Sequence, residues 1–572
     1  MPAKTDKTAD RIFFLVVCFI VAIFAEGILR RWIAPGLGYP LVFIRDPILL
    51  MIYATAILGG FVGANVRPMA VFIAASAMYL ALVFVQISAT ALNPLIPAFG
   101  FRTYLLYFPL PFVMYHFLNK RHFDTILKIL LWCFIPIGML TAVQYYSSPS
   151  SIWNIAPEGF GDVALIEANR VRPYGVFTNS IAHIFFAMIA LCVFLRFMVA
   201  KKSRGFPTLA LPFIGLATVM MGALSGSRTY FILAPLVIAL FMYGALIGPN
   251  VRRGASIVFV LTIVILMAIA GVFLVFPDVV ETLINRQKSA VSAEGSTFGR
   301  LAFMGTDFIR HLSIAEPFGA GAGLGTNIGS FIYAGRRTFA VTEYELPRIV
   351  LEFGPMFGLI HIGLRFAFVA YLFRRATQAA RAGELLPISL MGVIIPLFTA
   401  GPLTTQNSLL SIGWFAAGLC LLACKPEIAE PVISRRARSS RRAAGAQVEV
   451  MSPDQAGALG DSVIEGESVI VEPVQPPSRG GLDAITRVIS DTPAPKPARK
   501  ARPKPKAKRE SKAKAMARIK PGAKPKTKPM TKTGTRTSLK RGPRPPARPT
   551  ARSRIKPAPK PGPGGGKAPG RK

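Results

Sequence analysis

The sequence predicts an all-α protein that crosses a membrane many times and ends in a disordered basic tail. Mean hydropathy is +0.46 and 52% of the 572 residues are hydrophobic, which excludes an ordinary soluble globular protein. Apolar runs of 18 or more residues recur through the first 425 positions, and each is long enough to cross a bilayer as a helix. We therefore expect a polytopic membrane domain over 1–425 and a separate tail over 426–572.

About twelve membrane-spanning helices are expected. Lys4, Lys7 and Arg11 precede the first, and no small-residue cleavage site follows it, which indicates an uncleaved signal anchor. The approximate limits of the twelve are 11–29, 41–64, 69–91, 100–118, 124–146, 175–199, 206–224, 229–248, 255–276, 347–373, 385–402 and 405–424.

The basic residues of the short loops predict the orientation. Most fall in alternate loops, at Arg67, Lys120 to Lys128, Lys201 to Arg204, Arg252 and Arg253, and Arg374 to Arg381. Because cytoplasmic loops carry an excess of Lys and Arg, both termini are expected in the cytoplasm. The one large loop, 277–346, then lies on the outer side, which is the periplasm in a cell that has one.

The tail differs in character from the membrane domain. Between Asp491 and Lys572 there are 28 Lys and Arg against two acidic residues, a net charge of +26 out of +39 for the whole chain. This segment, strongly basic from 492, has too few large apolar residues to form a core and is expected to be disordered. Anionic lipid headgroups or another polyanion, nucleic acid included, are its expected partners. A specific partner and a dispensable low-complexity sequence are the alternatives.

Arginines on the predicted outer side are candidates for binding an anion. Arg172 precedes an apolar span, Arg228 ends the run Leu224-Ser-Gly-Ser, and Arg300 ends Ser296-Thr-Phe-Gly; Arg336 and Arg348 follow. Guanidinium groups bind phosphate through two parallel hydrogen bonds and stay charged. They favour a site for a lipid-linked phosphate or pyrophosphate, with pairing to nearby acids or headgroups as the alternative for each arginine.

Two further features lie in or beside the large loop. Pro317-Phe-Gly-Ala-Gly-Ala-Gly-Leu-Gly325 lacks the setting of a nucleotide-binding loop, and is interpreted as close-folding backbone beneath a substrate or as a tight turn. Glu343 and Glu345 precede Pro347, where either is placed to act as a general base; a carboxylate that only starts a helix is the alternative for Glu345. No Cys/His spacing or Asp-x-Asp motif predicts a metal site, and no cofactor is expected.

Charged residues within or beside other apolar spans are Glu26, Arg45, Asp46 and Arg102. Such residues are costly in a membrane and mark functional positions by default. Ion-pair formation near the outer interface is the simpler expectation for them, and an ion path in a transporter is the alternative.

Three local patterns together resemble the O-antigen ligase/polymerase family of bacterial membrane glycosyltransferases. They are Arg172-Pro-Tyr-Gly-Val-Phe-Thr-Asn-Ser-Ile-Ala182, Leu224-Ser-Gly-Ser-Arg-Thr-Tyr230, and Gly299-Arg300 followed by 317–325 and by Glu343 through Gly354. The resemblance covers roughly 165–365. It implies a GT-C-like fold, a glycan donor on a polyprenyl pyrophosphate, transfer without a metal, and diphosphate contacts from Arg172, Arg228 and Arg300. Asn179, Gly323, Gly325, Arg336 and Arg348 are candidates for glycan or backbone contacts.

One departure bears on the reaction. Ligases of the family usually carry a His-Asn pair nine residues before a Glu-x-Gly element, whereas this sequence has Glu343 and Tyr344 there. This favours polymerisation of lipid-linked repeat units into O-antigen, capsule or exopolysaccharide, with Glu343 as base and Glu345 as its substitute. A ligase that transfers glycan to a lipid or protein acceptor and a twelve-span glycan or lipid transporter are the alternatives. A chain-length regulator is a further candidate partner of a polymerase.

Overall fold

The computed structural model describes residues 2–38, 40–157, 170–199, 207–275, 297–335, 341–342 and 344–428, with a few positions between 277 and 288. These residues belong to the first of two units, Met1–Ser462. The second unit, Val463–Lys572, and with it nearly all of the expected tail, lies outside the described residues.

Helices are the regular elements of the described residues, as the apolar runs predict. The α-helices are α1 Pro2–Ile28, α2 Asp46–Leu58, α3 Phe61–Ala64, α4 Val66–Thr90, α5 Leu95–Phe101, α6 Leu110–Phe117, α7 Lys120–Tyr146, α8 Ser180–Val199, α9 Leu211–Ala223, α10 Arg228–Leu246, α11 Val251–Val275, α12 Thr297–Ile314, α13 Asn327–Ala334, α14 Glu345–Arg381, α15 Leu386–Thr399 and α16 Asn407–Ala423. Two π-helical turns, Leu29–Ile33 and Arg102–Leu106, extend α1 and α5.

Seven helices within the described residues are long and apolar enough to cross a membrane. They are Lys7–Ile33, Pro40–Leu58, Val66–Thr90, Lys120–Tyr146, Ser180–Val199, Arg228–Leu246 and Glu345–Arg381. Three other expected spans correspond to the shorter apolar helices α9, α15 and α16. The protein is thus an all-α membrane protein, while twelve crossings and their directions stay predictions.

The expected span 100–118 is divided in the structure. The α5 helix passes into the π-helical turn Arg102–Leu106, and α6 begins only at Leu110. Pro109 precedes α6 and Pro111 lies in its first turn, where a proline is tolerated because its missing N–H has no partner in a helix anyway. π-Helical turns are rare and occur often at functional sites.

The α14 helix folds back on itself. Gly354 has φ +79° and ψ 166° and Pro355 follows, so the helical path breaks there. Glu345 reaches Arg365, 20 residues on, at 2.9 Å, although 20 residues of straight helix would span about 30 Å. The Phe353 and His361 rings also stack at 5.3 Å. The two halves of α14 therefore form an antiparallel helical hairpin whose tip is Gly354.

The centre of the assembly is formed by α8 and α16. Most residues of α8 and nearly all residues of α16 are buried, and the two helices pack against each other and against α15. A helix that is apolar and buried all round lies inside the assembly, because it has no face left for solvent or lipid. Several surrounding helices, α4 among them, expose large apolar side chains such as Leu80 and Phe84, as expected for a surface in contact with lipid.

Candidate functional site: two buried charge clusters

Polar and charged side chains from distant parts of the chain meet at one end of the helix assembly, which we call the cluster end. The segments that meet there are Glu26–Arg31 at the end of α1, Arg45 and Asp46 at the start of α2, the turn Arg102–Leu106, residues 172–179 before α8, the hairpin half Glu345–Phe353, and Thr404–Ser408 before α16. Their ion pairs form two clusters.

The hairpin cluster consists of Glu345, Arg348, Glu352 and Arg365. Glu345 lies 2.6 Å from Arg348 Nη2 and 2.9 Å from Arg365 Nη1, and Arg348 Nε lies 3.6 Å from Glu352 Oε1. Thr404 Oγ1 donates to Glu345 Oε1 at 2.7 Å and also contacts Arg348. Two acids balance two arginines, which is what buried charges require when they are withdrawn from water.

Glu352 holds the Gly-rich segment against the hairpin. Its carboxylate accepts the N–H groups of Gly323 at 2.6 Å and Gly325 at 2.8 Å, and the Tyr104 hydroxyl at 2.9 Å. Backbone N–H groups that converge in this way form an anion-binding concavity. The anion here is a side chain of the same protein.

Several other N–H groups of this segment are also used within the protein. Those of residues 320 and 321 donate to backbone carbonyls of α14, that of residue 322 donates to Gln86 Oε1, and that of residue 324 donates to the Gly321 carbonyl. Gln86 in turn donates to the Phe318 and Glu352 carbonyls. The backbone folds closely against the hairpin, and the N–H groups of Gly323 and Gly325 donate to Glu352. A position beneath a substrate stays a prediction.

The α1–α2 cluster consists of Glu26, Arg30, Arg45, Asp46 and Arg102. Glu26 is shared by Arg30 at 2.9 Å and Arg45 at 2.8 Å, and Asp46 accepts Arg102 at 2.5 Å. The ion-pair formation expected from sequence is therefore present. Three arginines meet two acids, so this cluster carries a formal charge of +1.

Arg31, next to this cluster, fastens the segment that carries Arg172. Its guanidinium donates to the carbonyls of Trp153, Ile155 and Gly175 at 2.8 to 3.1 Å. Gln144 on α7 accepts the N–H groups of Tyr174 and Gly175. A Cβ atom at Gly27 would collide with the Val176 carbonyl, so only glycine lets α1 approach this closely. The Arg172 segment is thus fixed against the end of α1.

Arg172 and Arg228 lie near this region and are half-buried. Arg172 precedes α8, and Arg228 is the first residue of α10 after a turn in which Gly226 has φ +59°. Leu224 in that turn packs against Tyr145, and the Arg170 guanidinium lies over the same tyrosine ring at 5.5 Å. Tyr145 therefore lies between the two arginine-bearing segments.

Two segments link the clusters. In the turn Arg102–Leu106, Arg102 binds Asp46 in one cluster and Tyr104 binds Glu352 in the other. The segment Thr404–Ser408 contacts both clusters as well: Thr404 binds the hairpin cluster, Asn407 accepts Arg102, and Ser408 donates to Glu26. These links place both clusters in one continuous polar network.

The remaining predicted residues have different positions. Asn179 caps α8, accepting the Ala182 N–H at 2.7 Å, and its amide donates to Gln406 at 3.3 Å. Glu345 and Arg348 are buried in the hairpin cluster. Arg300 lies in α12 but its side chain is not described, and Glu343 and Arg336 lie outside the described residues.

Sequence reasoning missed several residues of this network, namely Arg30 and Arg31 as organising groups, Gln86, Tyr104, Thr404 and Ser408. The Gly354-Pro355 pair was the available signal for the hairpin, because such pairs break helices. No sequence pattern predicts the contacts of Arg31, because its partners are backbone carbonyls of distant residues.

Neither a search against protein-family models nor a search of curated proteins finds a match to this chain.

Proposed function

We propose that this protein is a membrane glycosyltransferase that polymerises repeat units carried on a polyprenyl pyrophosphate. The main support is the concentration of arginines at one end of an apolar helix assembly. Six arginines lie in neighbouring segments there and come from five places in the sequence, namely Arg30 and Arg31, Arg45, Arg102, Arg172 and Arg228. An anionic group at the head of a lipid chain matches this combination of positive charge and apolar surface.

The proposed chemistry needs charge stabilisation and a base. The leaving pyrophosphate gains negative charge in the transition state, and preorganised guanidinium groups in a partly dry site stabilise that charge. Arg172 and Arg228, with Arg300 from the outer loop, have this role in the proposal. A carboxylate takes the proton of the attacking sugar hydroxyl.

Glu343 stays the proposed base. Glu345 is bound by Arg348, Arg365 and Thr404 and is buried, so it would have to break these contacts to reach a substrate. Its geometry suits the alternative named from sequence, a structural carboxylate at the start of a helix.

The proposal also assigns an orientation. The cluster end faces the periplasm, both termini lie in the cytoplasm, and the polyprenyl chain of the donor lies between helices in the inner membrane. The excess of Lys and Arg in the alternate loops supports this assignment. Accessibility labelling of single cysteines introduced at Phe331 and Tyr333, two exposed residues just after the Gly-rich segment, would test it directly, and reaction only from the cytoplasm would refute it.

Substitution of the arginines tests the proposed role. In cells that depend on this protein for polymer, Arg172→Ala, Arg228→Ala and Arg300→Ala should each abolish long polymer while leaving membrane insertion normal. Arg228→Lys should also fail where the contact is bidentate, because lysine is only a point charge. Arg252→Ala, an exposed arginine after α10, is the matched control and should retain full polymer length. Wild-type polymer from Arg228→Ala would refute the assignment.

Lipid-linked intermediates distinguish the alternative functions. Loss of a polymerase leaves single repeats on the final acceptor, whereas loss of a ligase leaves long polymer on the carrier. The buried ion pairs of the α1–α2 cluster also suit a transporter, because ionisable groups within membrane helices often line ion paths. Accumulation of undelivered repeat units on the cytoplasmic side after gene loss would favour transport.

A further inference from the structure

One buried carboxylate in the α1–α2 cluster serves two arginines. Glu26 Oε1 lies 2.9 Å from Arg30 Nη1, and Glu26 Oε2 lies 2.8 Å from Arg45 Nη2. The three side chains are at most 2% exposed. Two guanidinium groups thus contact one carboxylate away from water, where an ionic contact is only weakly screened.

Arg45 has hydrogen-bonding capacity to spare. Within the described part of the chain, its Nε and Nη1 atoms are buried and have no hydrogen-bond acceptor. A guanidinium offers five donors in a planar fork, which matches the several oxygens of a phosphate better than one shared carboxylate. Arg45 is therefore held in place with donors free for a larger anion.

The Glu26 carboxylate also lies at the start of α16. The Ser408 hydroxyl donates to Glu26 Oε2 at 3.4 Å and contacts Thr178 Oγ1 at 3.0 Å. The first turn of a helix favours anions, because its backbone N–H groups and dipole present positive charge. Two arginines and a helix start thus surround one position, and the protein fills it with its own carboxylate.

We propose that Glu26 is a stand-in anion, and that Arg30, Arg45 and Ser408 form a phosphate-class subsite that receives the diphosphate of the donor when the Glu26 carboxylate moves aside. The identity of the donor rests on the proposed function; the anion subsite itself does not. The subsite adjoins the Arg172 segment, since Arg31 binds the Gly175 carbonyl and Gly27 contacts Val176. One diphosphate then bridges the two regions.

Binding of inorganic pyrophosphate to the full-length protein tests this subsite. The protein is placed in phosphatidylcholine nanodiscs and titrated calorimetrically. Arg45→Gln should weaken pyrophosphate binding by roughly tenfold or more, since a buried charged contact is lost. Glu26→Gln should strengthen binding severalfold, because the competing carboxylate has gone. Arg11→Gln, an exposed arginine near the start of α1, should bind as the wild type does.

The two variants should change the affinity for pyrophosphate in opposite directions, and this distinguishes a binding site from a structural ion pair. A purely structural pair predicts that both variants lose stability and that neither binds pyrophosphate more tightly. If Arg45→Gln does not fold, Arg45→Lys replaces it, because lysine keeps the positive charge. Lysine should bind pyrophosphate less well than arginine, so an affinity of Arg45→Lys between those of the wild type and Glu26→Gln would contradict the proposal. No pyrophosphate binding by folded wild-type protein would overturn it.

A lipid headgroup is the other source of the same phosphate chemistry. Addition of phosphatidylglycerol to the nanodiscs should leave most of the pyrophosphate affinity intact. Complete competition by phosphatidylglycerol would assign the subsite to headgroups and overturn the diphosphate assignment. Failure of the binding experiment together with loss of polymer in Arg228→Ala would reject this subsite while leaving the proposed glycosyltransferase intact.

Discussion

The two charge clusters differ in how their charges are matched. The hairpin cluster sets two glutamates against two arginines and uses Glu352 to hold the Gly-rich segment. The α1–α2 cluster sets two acids against three arginines. Both clusters contain guanidinium nitrogens without a hydrogen-bond acceptor among the described residues, so this property does not distinguish them. The two clusters differ in their net charge. A neutral cluster suits a structural role, whereas an excess of positive charge suits binding of an anion.

Removal of a carboxylate from the balanced cluster should have the largest effect. Glu345→Gln leaves Arg348 and Arg365 buried with less compensation, and the expected loss of stability is about 3–5 kcal/mol. Thermal unfolding in detergent measures it. Glu316→Gln, an exposed glutamate of the same loop, should change stability by less than about 0.5 kcal/mol. An equally small change in Glu345→Gln would show that the hairpin cluster does not hold the fold together.

Pyrophosphate should distinguish the clusters more finely. At a concentration of about 100 times its dissociation constant, a ligand bound only by the folded state adds about 2.7 kcal/mol of stability. We expect Glu26→Gln to be stabilised by pyrophosphate to this extent and Glu345→Gln to gain less, because three arginines then face one acid in the α1–α2 cluster, whereas two arginines face one acid in the hairpin cluster. A larger gain in Glu345→Gln, measured by the same thermal unfolding, would reverse the assignment of the two clusters.

The tip of the hairpin offers a smaller, local test of the balanced cluster. Gly354→Ala places a Cβ where φ is +79° and against the Pro317 carbonyl, which should cost about 1–3 kcal/mol. Gly363→Ala on the same helix meets nothing within 4 Å and should add about 0.5–1 kcal/mol. Limited proteolysis of the Gly-rich segment alongside thermal unfolding checks both. Equal behaviour of the two alanine variants would refute the hairpin.

Removal of the tail should have the smallest effect on either cluster. Deletion of 430–572 takes away most of the chain's net positive charge but none of the residues in the two clusters. Polymer formation in membranes and the stability of the remaining protein are expected to stay near those of the full chain. Loss of the chemical step in the truncated protein would show that the tail takes part in it.

The helical membrane domain could be predicted because long apolar runs leave few other structures possible. The pairs of Glu26 with Arg45 and of Asp46 with Arg102 were also predictable in kind, since charges among apolar residues need partners. The hairpin was not predicted, because the apolar pattern continues across Gly354 and suggests one uninterrupted span. The Gly354-Pro355 pair was the signal against one uninterrupted span.

Most of the network depends on the tertiary structure. Arg31 binds carbonyls 122 to 144 residues away, and any residue supplies a carbonyl. Gln86 and Thr404 are ordinary polar residues in sequence, and only the fold places them against the Gly-rich segment and the hairpin. The general base could not be decided from sequence either, because Glu343 and Glu345 are only two positions apart in the same segment. The ion pairs that hold Glu345 became visible only in the structure.

The fold-back of α14 has a consequence for how the chain enters the bilayer. Glu345 and Arg365 belong to one contiguous stretch, so they can neutralise each other before any other helix has arrived. A straight helix would hold the two charges about 30 Å apart, where neither could neutralise the other. Because the chain reverses at Gly354, Glu345 and Arg365 can form their ion pair while the protein is being synthesised. This part of the chain can then enter the membrane with the two charges already paired.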